Sequence, residues 1–471
     1  MMLTQYTYIY AIGTFFALLD AYNNGANDVA NAWATSVSSR SITYRQAIVF
    51  AFIFEVLGAV TVGARTADTI KNGIIPASAF RNDPGVQMLA FTCALAGASI
   101  WVMWCSRHSA HVSSTYSLVS AVAGVGVAVA GASQVQWGWN GGKGLGAIFA
   151  GLAMAPFISA CFGALIFGLI KFVVHLRRDP VRWAVYSAPL WARPIWGWTR
   201  SRLHARLREG RGPMGWAMRF LHEHPMGEGR IYETHNMKNF VLRIPAMAVV
   251  ALLYGSHYDI HAAQVGIGGT PEGRRMDRVY AHAPKYPDEV EHTYSFVQLT
   301  QVKVLTACTA SFAHGANDVG NAVGPWAAIY QAWSTGNAPS TKAPVDTWQL
   351  AVAALAISFG LATYGYNIMK VMGNKITYHS PSRGCSMEMG AAITILIFSQ
   401  YSLPVSTSMC ITGATVGVGL MNGTAKAVNW QRIALLMVSW IATIPVAGSI
   451  AGVIMGVVLN APHFPTATTT G

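Results

Sequence analysis

The stretch Gly25-Ala26-Asn27-Asp28-Val29-Ala30-Asn31-Ala32 returns 290 residues later as Gly315-Ala316-Asn317-Asp318-Val319-Gly320-Asn321-Ala322, with seven identities in eight. A second pair follows at nearly the same offset: His111-Val112-Ser113-Ser114-Thr115-Tyr116-Ser117 and Pro404-Val405-Ser406-Thr407-Ser408-Met409-Cys410. Two motif pairs in one order and at one spacing describe a duplicated half-protein.

The surroundings of these motifs set the fold class. Of 471 residues, 53% are apolar and 11% charged, against roughly 25% charged in an average soluble domain. Apolar runs near 6–33, 44–66, 86–106, 113–132 and 144–176 precede a polar stretch, and runs near 296–330, 347–371, 386–401, 404–420 and 432–459 follow it. Most approach the about 20 residues a helix needs to cross hydrocarbon. Five crossings, a loop that stays on one side, and five more crossings insert the second half in the opposite direction. The expectation is an all-α polytopic membrane protein, an inverted repeat with broken or half-helices at its centre. Its divisions are a first transmembrane repeat (1–176), a basic loop (177–295) and a second repeat (296–471).

Charge assigns the sides. Eighteen of the 32 Lys and Arg residues lie between Lys171 and Lys285, which marks a cytoplasmic loop and argues against nucleic-acid binding as the source of the net charge of +13. With both termini outside, Arg40, Arg45, Arg107, Lys370, Lys375, Arg383 and Lys426 also fall in the cytoplasm. The first apolar run lacks a basic leader and is expected to stay as the first membrane helix. Within the loop, Val241–Gly255 is too short to span and reads as interfacial or packed within the loop. Trp183, Trp191, Trp196 and Trp198 interleaved with Arg read as an amphipathic surface segment. The Asn422-Gly423-Thr424 acceptor pattern falls on the cytoplasmic side and is expected to be silent.

A carboxylate at membrane depth costs roughly 2.5–3.5 kcal/mol on insertion scales and survives by facing a partner or a wet cavity. Asp28 and Asp318 therefore read as cation ligands, since a hard cation takes carboxylate, amide and carbonyl oxygens. Asn27, Asn31, Asn317 and Asn321 supply amide oxygens to the cation or NH₂ groups to an anion. Gly25 and Gly315 are expected to let the helix unwind there. Ser113, Ser114 and Thr115, and likewise Ser406, Thr407 and Ser408, stand where a helix begins, so hydroxyls, free N–H groups and a positive dipole end face one target. Together these make a site for an oxyanion and a cation. The alternative is that such small polar residues only glue helices, which does not explain a duplicated carboxylate.

Glu55 and Glu388 lie in apolar helices with no counterpart in the repeat. Each reads as a coupling-ion ligand, a proton carrier or half of a structural ion pair, for example with Arg383 or a Lys near a helix end. The six Cys are scattered without metal spacing. The His257/His261 pair reads as solvated. No nucleophile–His–acid set appears, so no enzyme is expected, and paired acids disfavour a simple anion pore.

The octapeptide pair, with Phe54-Glu55 through Gly63-Ala64, Asp68-Thr69-Ile70, Pro381-Ser382-Arg383-Gly384 and Pro404-Val405-Ser406-Thr407, resembles the inorganic phosphate transporter (PiT) family across both transmembrane halves. Tyr22-Asn23-Asn24 and Ala313-His314 resemble its eukaryotic, fungal-like branch. The resemblance implies sodium-coupled phosphate symport at the plasma membrane by alternating access, often as a homodimer, with Na⁺ as co-transported ion and no other metal or cofactor. It implies phosphate ligands among Asn27, Asn317, Ser113, Ser114, Thr115, Ser406, Thr407 and Ser408, cation ligands at Asp28, Asn31, Asp318 and Asn321, and coupling roles for Glu55 and Glu388. His111 stands where the family has Pro, and Tyr116 and Met409 where it has His. The rival readings are a proton-coupled phosphate or metal–phosphate carrier and, in another class, an anion channel or exporter.

Overall fold

The computed structural model describes residues 2–67, 83–140, 144–184, 270–288, 302–337 and 345–461, with isolated positions between them. Val241–Gly255, Trp191, Trp196, Trp198, His257, His261 and Asp68-Thr69-Ile70 lie outside the described residues.

The first half contains α1 (Thr7–Asn24), a π-helical turn (Gly25–Val29), α2 (Ala30–Ser38), α3 (Tyr44–Val62), α4 (Pro84–Arg107), α5 (Ser114–Ala130) and α6 (Leu145–Ile170). The loop contributes α7 (Pro271–Ala281). The second half contains α8 (Val302–Thr335), α9 (Thr347–Tyr364), α10 (Tyr366–Asn374), α11 (Pro381–Gln400), α12 (Thr407–Leu420) and α13 (Trp430–Leu459).

Local chemistry explains the starts. Thr43 and Gln46 form a reciprocal capping box ahead of α3, and Asp83 accepts from Gly85 N at 2.7 Å with Pro84 at the first helical position, both standard N-terminal signals. Five of the described helices are long and apolar enough to cross a membrane: α3, α4, α6 with its continuation to His175, α9 and α13. Phe157, Leu165, Val438, Ile441, Val453 and Val457 face outward on α6 and α13, a bare apolar surface that water would not tolerate at this extent.

Packing repeats between the halves. α4 packs on α1 as α11 packs on α8, α9 on α1 as α3 on α8, and α13 on α5 as α6 on α12. The two motif helices run in opposite directions, because Thr14 near the start of α1 meets Trp326 near the end of α8 at 3.0 Å, while Asn24 donates to the Asp318 carbonyl at 3.1 Å. The duplication is thus inverted in space, as the odd number of apolar runs per half requires.

The glycines do not unwind the helices as expected. Gly25 keeps helical angles and opens only a single π turn, and α8 runs straight through Gly315. Both glycines instead allow close contact: a Cβ at Gly25 would stand 1.7 Å from the Ile357 carbonyl oxygen and one at Gly315 2.3 Å from the Glu55 oxygen. Gly360 and Gly58 complete the same two crossings against Tyr22 and Phe312. A carbonyl fixed in a neighbouring helix cannot rotate away, so Gly25→Ala is expected to cost at least the about 1–3 kcal/mol of an overpacked core. Melting in detergent checks this, with Gly456→Ala, where nothing stands within 4 Å, expected to match the parent.

Two breaks interrupt the bundle. α4 ends at Arg107 and α5 starts at Ser114; α11 ends at Gln400 and α12 starts at Thr407. Each break turns on a serine with positive φ, Ser109 at 55° and Ser402 at 57°. α12, at 14 residues, is about 21 Å long and too short to cross, so it begins inside the protein.

The described part of the basic loop docks on the face that carries Lys375, Arg383 and Lys426. Lys375 meets Glu272 of α7 at 2.9 Å. Arg383, fully buried, lies over the rings of Phe167, Tyr286 and Tyr378. Nearby Glu291 accepts from Ser382 N and Oγ, both at 2.8 Å. Burial pushes its carboxyl above the usual range, against the opposing pull of those donors and of Arg383.

Candidate functional site

The two motif helices cross where the two hairpin breaks end, and this gathers the duplicated polar residues into one buried cluster. Asp28 accepts from the Ser408 hydroxyl and from the Ser114 backbone N–H at 3.4 Å. Asp318 accepts from Thr407 Oγ1 at 2.6 Å and from the Asn317 amide. Thr407 and Ser408, adjacent at the start of α12, thus reach carboxylates from opposite halves of the chain.

Asn31 donates to Ser408 Oγ at 3.2 Å and to the Asn27 carbonyl at 2.9 Å, and its Nδ2 lies against His111 Nε2. Asn321 donates to Thr115 Oγ1 at 3.1 Å and to Ser114 Oγ at 3.4 Å. The amide oxygens of Asn31 and Asn321 are both buried without a hydrogen-bond partner. They and the two carboxylates form an oxygen-rich set of the kind a hard cation takes.

Other expected ligands are engaged with the protein. Asn27 holds the first break through Ser106 Oγ at 2.9 Å and Val112 N at 3.3 Å. Asn317 holds the second through the Val405 carbonyl at 2.6 Å and Ser399 Oγ at 3.3 Å. Ser113 and Ser406 cap their own helices by accepting from Tyr116 N and Met409 N. Ser114, Thr115, Thr407 and Ser408 stand with the first N–H groups of α5 and α12 at two converging helix N-termini, where Thr407 and Ser408 donate their hydroxyl protons to Asp318 and Asp28 and Thr115 donates to the Val405 carbonyl at 3.4 Å.

Glu55 stands behind the cluster. Its oxygens meet Ser311 Oγ at 2.6 Å and His314 Nδ1 at 2.7 Å, and the other ring nitrogen of His314 reaches Asp318 and Asn24, each at 3.0 Å. Glu55 and Asp318 therefore share one imidazole, while Asp28 has only the Ser408 hydroxyl and the Ser114 N–H as partners and no bonded cationic side chain among the described residues, and all three carboxylates are at most 2% exposed. Even with His314 protonated the group carries a surplus of negative charge, and a low-dielectric interior demands compensation.

Glu388 lies outside this cluster. It pairs with Lys303 at the start of α8 and also accepts from Thr35 Oγ1, Ser36 Oγ at 2.9 Å and Thr306 Oγ1 at 2.7 Å, tying α11 to α2 and α8. Its partner is not Arg383, which bonds Asn422 and the Pro284 carbonyl. The sequence offered a Lys near a helix end as a partner, and Lys303 is that lysine, although beside the start of an apolar run it looks like one that snorkels to the surface. Sequence reading passed over Asp20, a single acid one turn before the motif.

Comparison with known proteins places the chain in a family. The profile of a family described as "Phosphate transporter family" matches residues 24–451. The chain is similar to the phosphate-repressible phosphate permease pho-4 of Neurospora crassa, at 34% identity over 98% of this chain and 99% of that protein. It is also 32% identical to a protein of Pyrococcus horikoshii named as a phosphate permease, over 93% of this chain and 95% of the other. Among solved structures it resembles one titled "The sodium-dependent phosphate transporter", with a TM-score of 0.70, 27% identity and coverage of 96% of this chain and all of that one. On the profile match and these full-length similarities, the chain belongs to the phosphate transporter family.

Proposed function

We propose that this protein is a sodium-coupled symporter of inorganic phosphate, and the observation that carries the reading is the surplus of buried carboxylate beside two converging helix N-termini. Carboxylates without enough cationic side chains call for mobile cations. Helix N-termini lined with hydroxyls call for an oxyanion. Neither ion enters such a site cheaply alone, whereas together they neutralise each other, which is the physical basis of coupling. The sodium-dependent title of the structural neighbour supports Na⁺ as the cation.

In this reading Asp28, Asn31, Asp318 and Asn321 hold Na⁺, and Ser114, Thr115, Thr407 and Ser408 hold phosphate with the N–H groups of α5 and α12. Asn27, Asn317, Ser113 and Ser406 shape the hairpin tips that carry these donors. Glu55 sets the position and charge of His314 behind Asp318, and Glu388 couples α11 to the motif helices. Residues 1–176 and 296–471 act as the two repeats whose rocking opens the buried site to alternate faces, with 177–295 cytoplasmic, the termini outside, the plasma membrane as residence and a homodimer in the bilayer.

The deciding experiment is uptake of radiolabelled phosphate into proteoliposomes, with an inward Na⁺ gradient or with choline in its place, at two pH values. Accumulation above the outside concentration that requires Na⁺ is the expected result. Accumulation driven by a pH gradient in choline would assign the coupling to protons. Equilibration without accumulation would assign a channel.

Thr407→Ala combined with Ser406→Ala is expected to raise the half-saturating phosphate concentration about tenfold or more, because a hydrogen bond to a charged group is worth about 1.5–3 kcal/mol. An unchanged value would leave this cluster a packing role only.

A further inference from the structure

Asp20 is 1% exposed, and neither of its carboxylate oxygens has a hydrogen-bond partner. It sits on α1 two turns before Asp28 and one turn before Asn24, on the same side of the helix. Gly13, two turns earlier on that face, fixes what it looks at: a Cβ there would meet Thr92 Oγ1 of α4 at 2.7 Å and Ile329 of α8 at 2.9 Å. Asp20 therefore faces the seam between α4 and α8.

No basic side chain can reach it from these helices. α1 contains none, α4 has only Arg107 at its far end, and α8 has Lys303, already paired with Glu388, and His314, already shared by Glu55, Asp318 and Asn24. At the level of Asp20 the seam offers the oxygens of Ser99, and others lie farther along it. Ser99 of α4 stands at the level of Asp20, since its hydroxyl donates to the Phe16 carbonyl at 3.3 Å and its own carbonyl accepts from Asn23 at 3.0 Å. Thr92 lies nearer the start of α4, and the side-chain oxygen of Gln87, beyond it, is buried without a partner. Past Asp20 the same face leads to Asn24, which bonds both the Asp318 carbonyl and His314, and then to Asp28.

We propose that Asp20 is a further cation-binding carboxylate, holding a Na⁺ ion in the seam between α1, α4 and α8 on the path from the N-terminal end of α1 to the Asp28/Asp318 site. The inference rests on the symport reading above and extends it to a cation not bound at the duplicated motifs. A proton would neutralise Asp20 equally well, but it would not use the Ser99 hydroxyl and carbonyl oxygens beside it, the kind of ligand a hard cation takes.

The test is phosphate uptake against Na⁺ concentration in proteoliposomes holding the full chain, with ²²Na⁺ binding to the purified protein measured in parallel. In Asp20→Asn the half-saturating Na⁺ concentration is expected to rise tenfold or more and the Hill coefficient for Na⁺ to fall. The half-saturating phosphate concentration at saturating Na⁺ should move less than twofold, and bound ²²Na⁺ per protein should drop. Asp20→Glu, which keeps the charge and oxygens, is expected to retain Na⁺ binding with altered affinity. It serves as the readout where the asparagine variant does not reach the membrane, and unaltered Na⁺ activation in it would overturn the proposal. So would an Asp20→Asn protein whose Na⁺ curve matches the parent, or one that loses only its pH dependence, which would make Asp20 a proton carrier. Parent protein that accumulates phosphate without Na⁺ would instead defeat the symport reading on which this one rests.

Discussion

Asp28→Asn and Asp318→Asn are each expected to reduce Na⁺-driven phosphate accumulation at least about a hundredfold, with protein still present in the membrane at near-parent amounts. The asparagine keeps an acceptor oxygen where Ser408 and Ser114, or Thr407, now donate, so the local bonds survive in kind. What disappears is the charge. A carboxylate–cation contact at about 4 Å is worth about 4 kcal/mol at an effective dielectric constant of 20, close to three orders of magnitude in cation affinity. Because cation and phosphate neutralise each other, phosphate accumulation should fall with it. Folding should suffer less, since removing one of three buried carboxylates with one imidazole between them relieves repulsion. Measuring uptake beside surface abundance separates the two effects, and Na⁺-dependent accumulation kept by both variants would remove these acids as cation ligands.

The second large effect concerns stability. Lys303 and Glu388 are both fully buried and bonded to each other, and Thr35 Oγ1 accepts from Lys303 at 2.8 Å. Replacing Lys303 by Met leaves Glu388 buried without its cation. Breaking such a pair on one side costs about 3–5 kcal/mol, a large share of the about 5–15 kcal/mol that holds a domain folded. Lys303→Met should therefore lower membrane abundance and the melting temperature in detergent sharply. Adding Glu388→Gln should restore most of both, because a neutral pair removes the uncompensated charge. Equal melting of Lys303→Met and the parent would show that the pair contributes nothing to folding.

The sequence alone determined the class of the protein, its inverted duplication and the identity of most polar residues at its centre. Apolar run length is set by the thickness of the hydrocarbon core, and a buried carboxylate is too expensive to recur by accident, so both can be read in one dimension. The two motif pairs together also named residues that come together, as Thr407 and Ser408 do with Asp318 and Asp28. The tertiary structure decided who bonds to whom. Asn27 and Asn317 look like ligands in the sequence, yet they clamp the hairpin tips, because Ser106 and Ser399 come into reach only when the helices cross. Gly25 and Gly315 look like helix breakers, yet they admit the carbonyls of Ile357 and Glu55 from helices distant in the chain. Lys303 becomes the partner of Glu388, and Asp20 becomes a carboxylate with none, for the same reason. Burial and partnership depend on distances between segments up to hundreds of residues apart, and those distances are fixed by helix packing, which a linear pattern of apolar and polar residues does not encode.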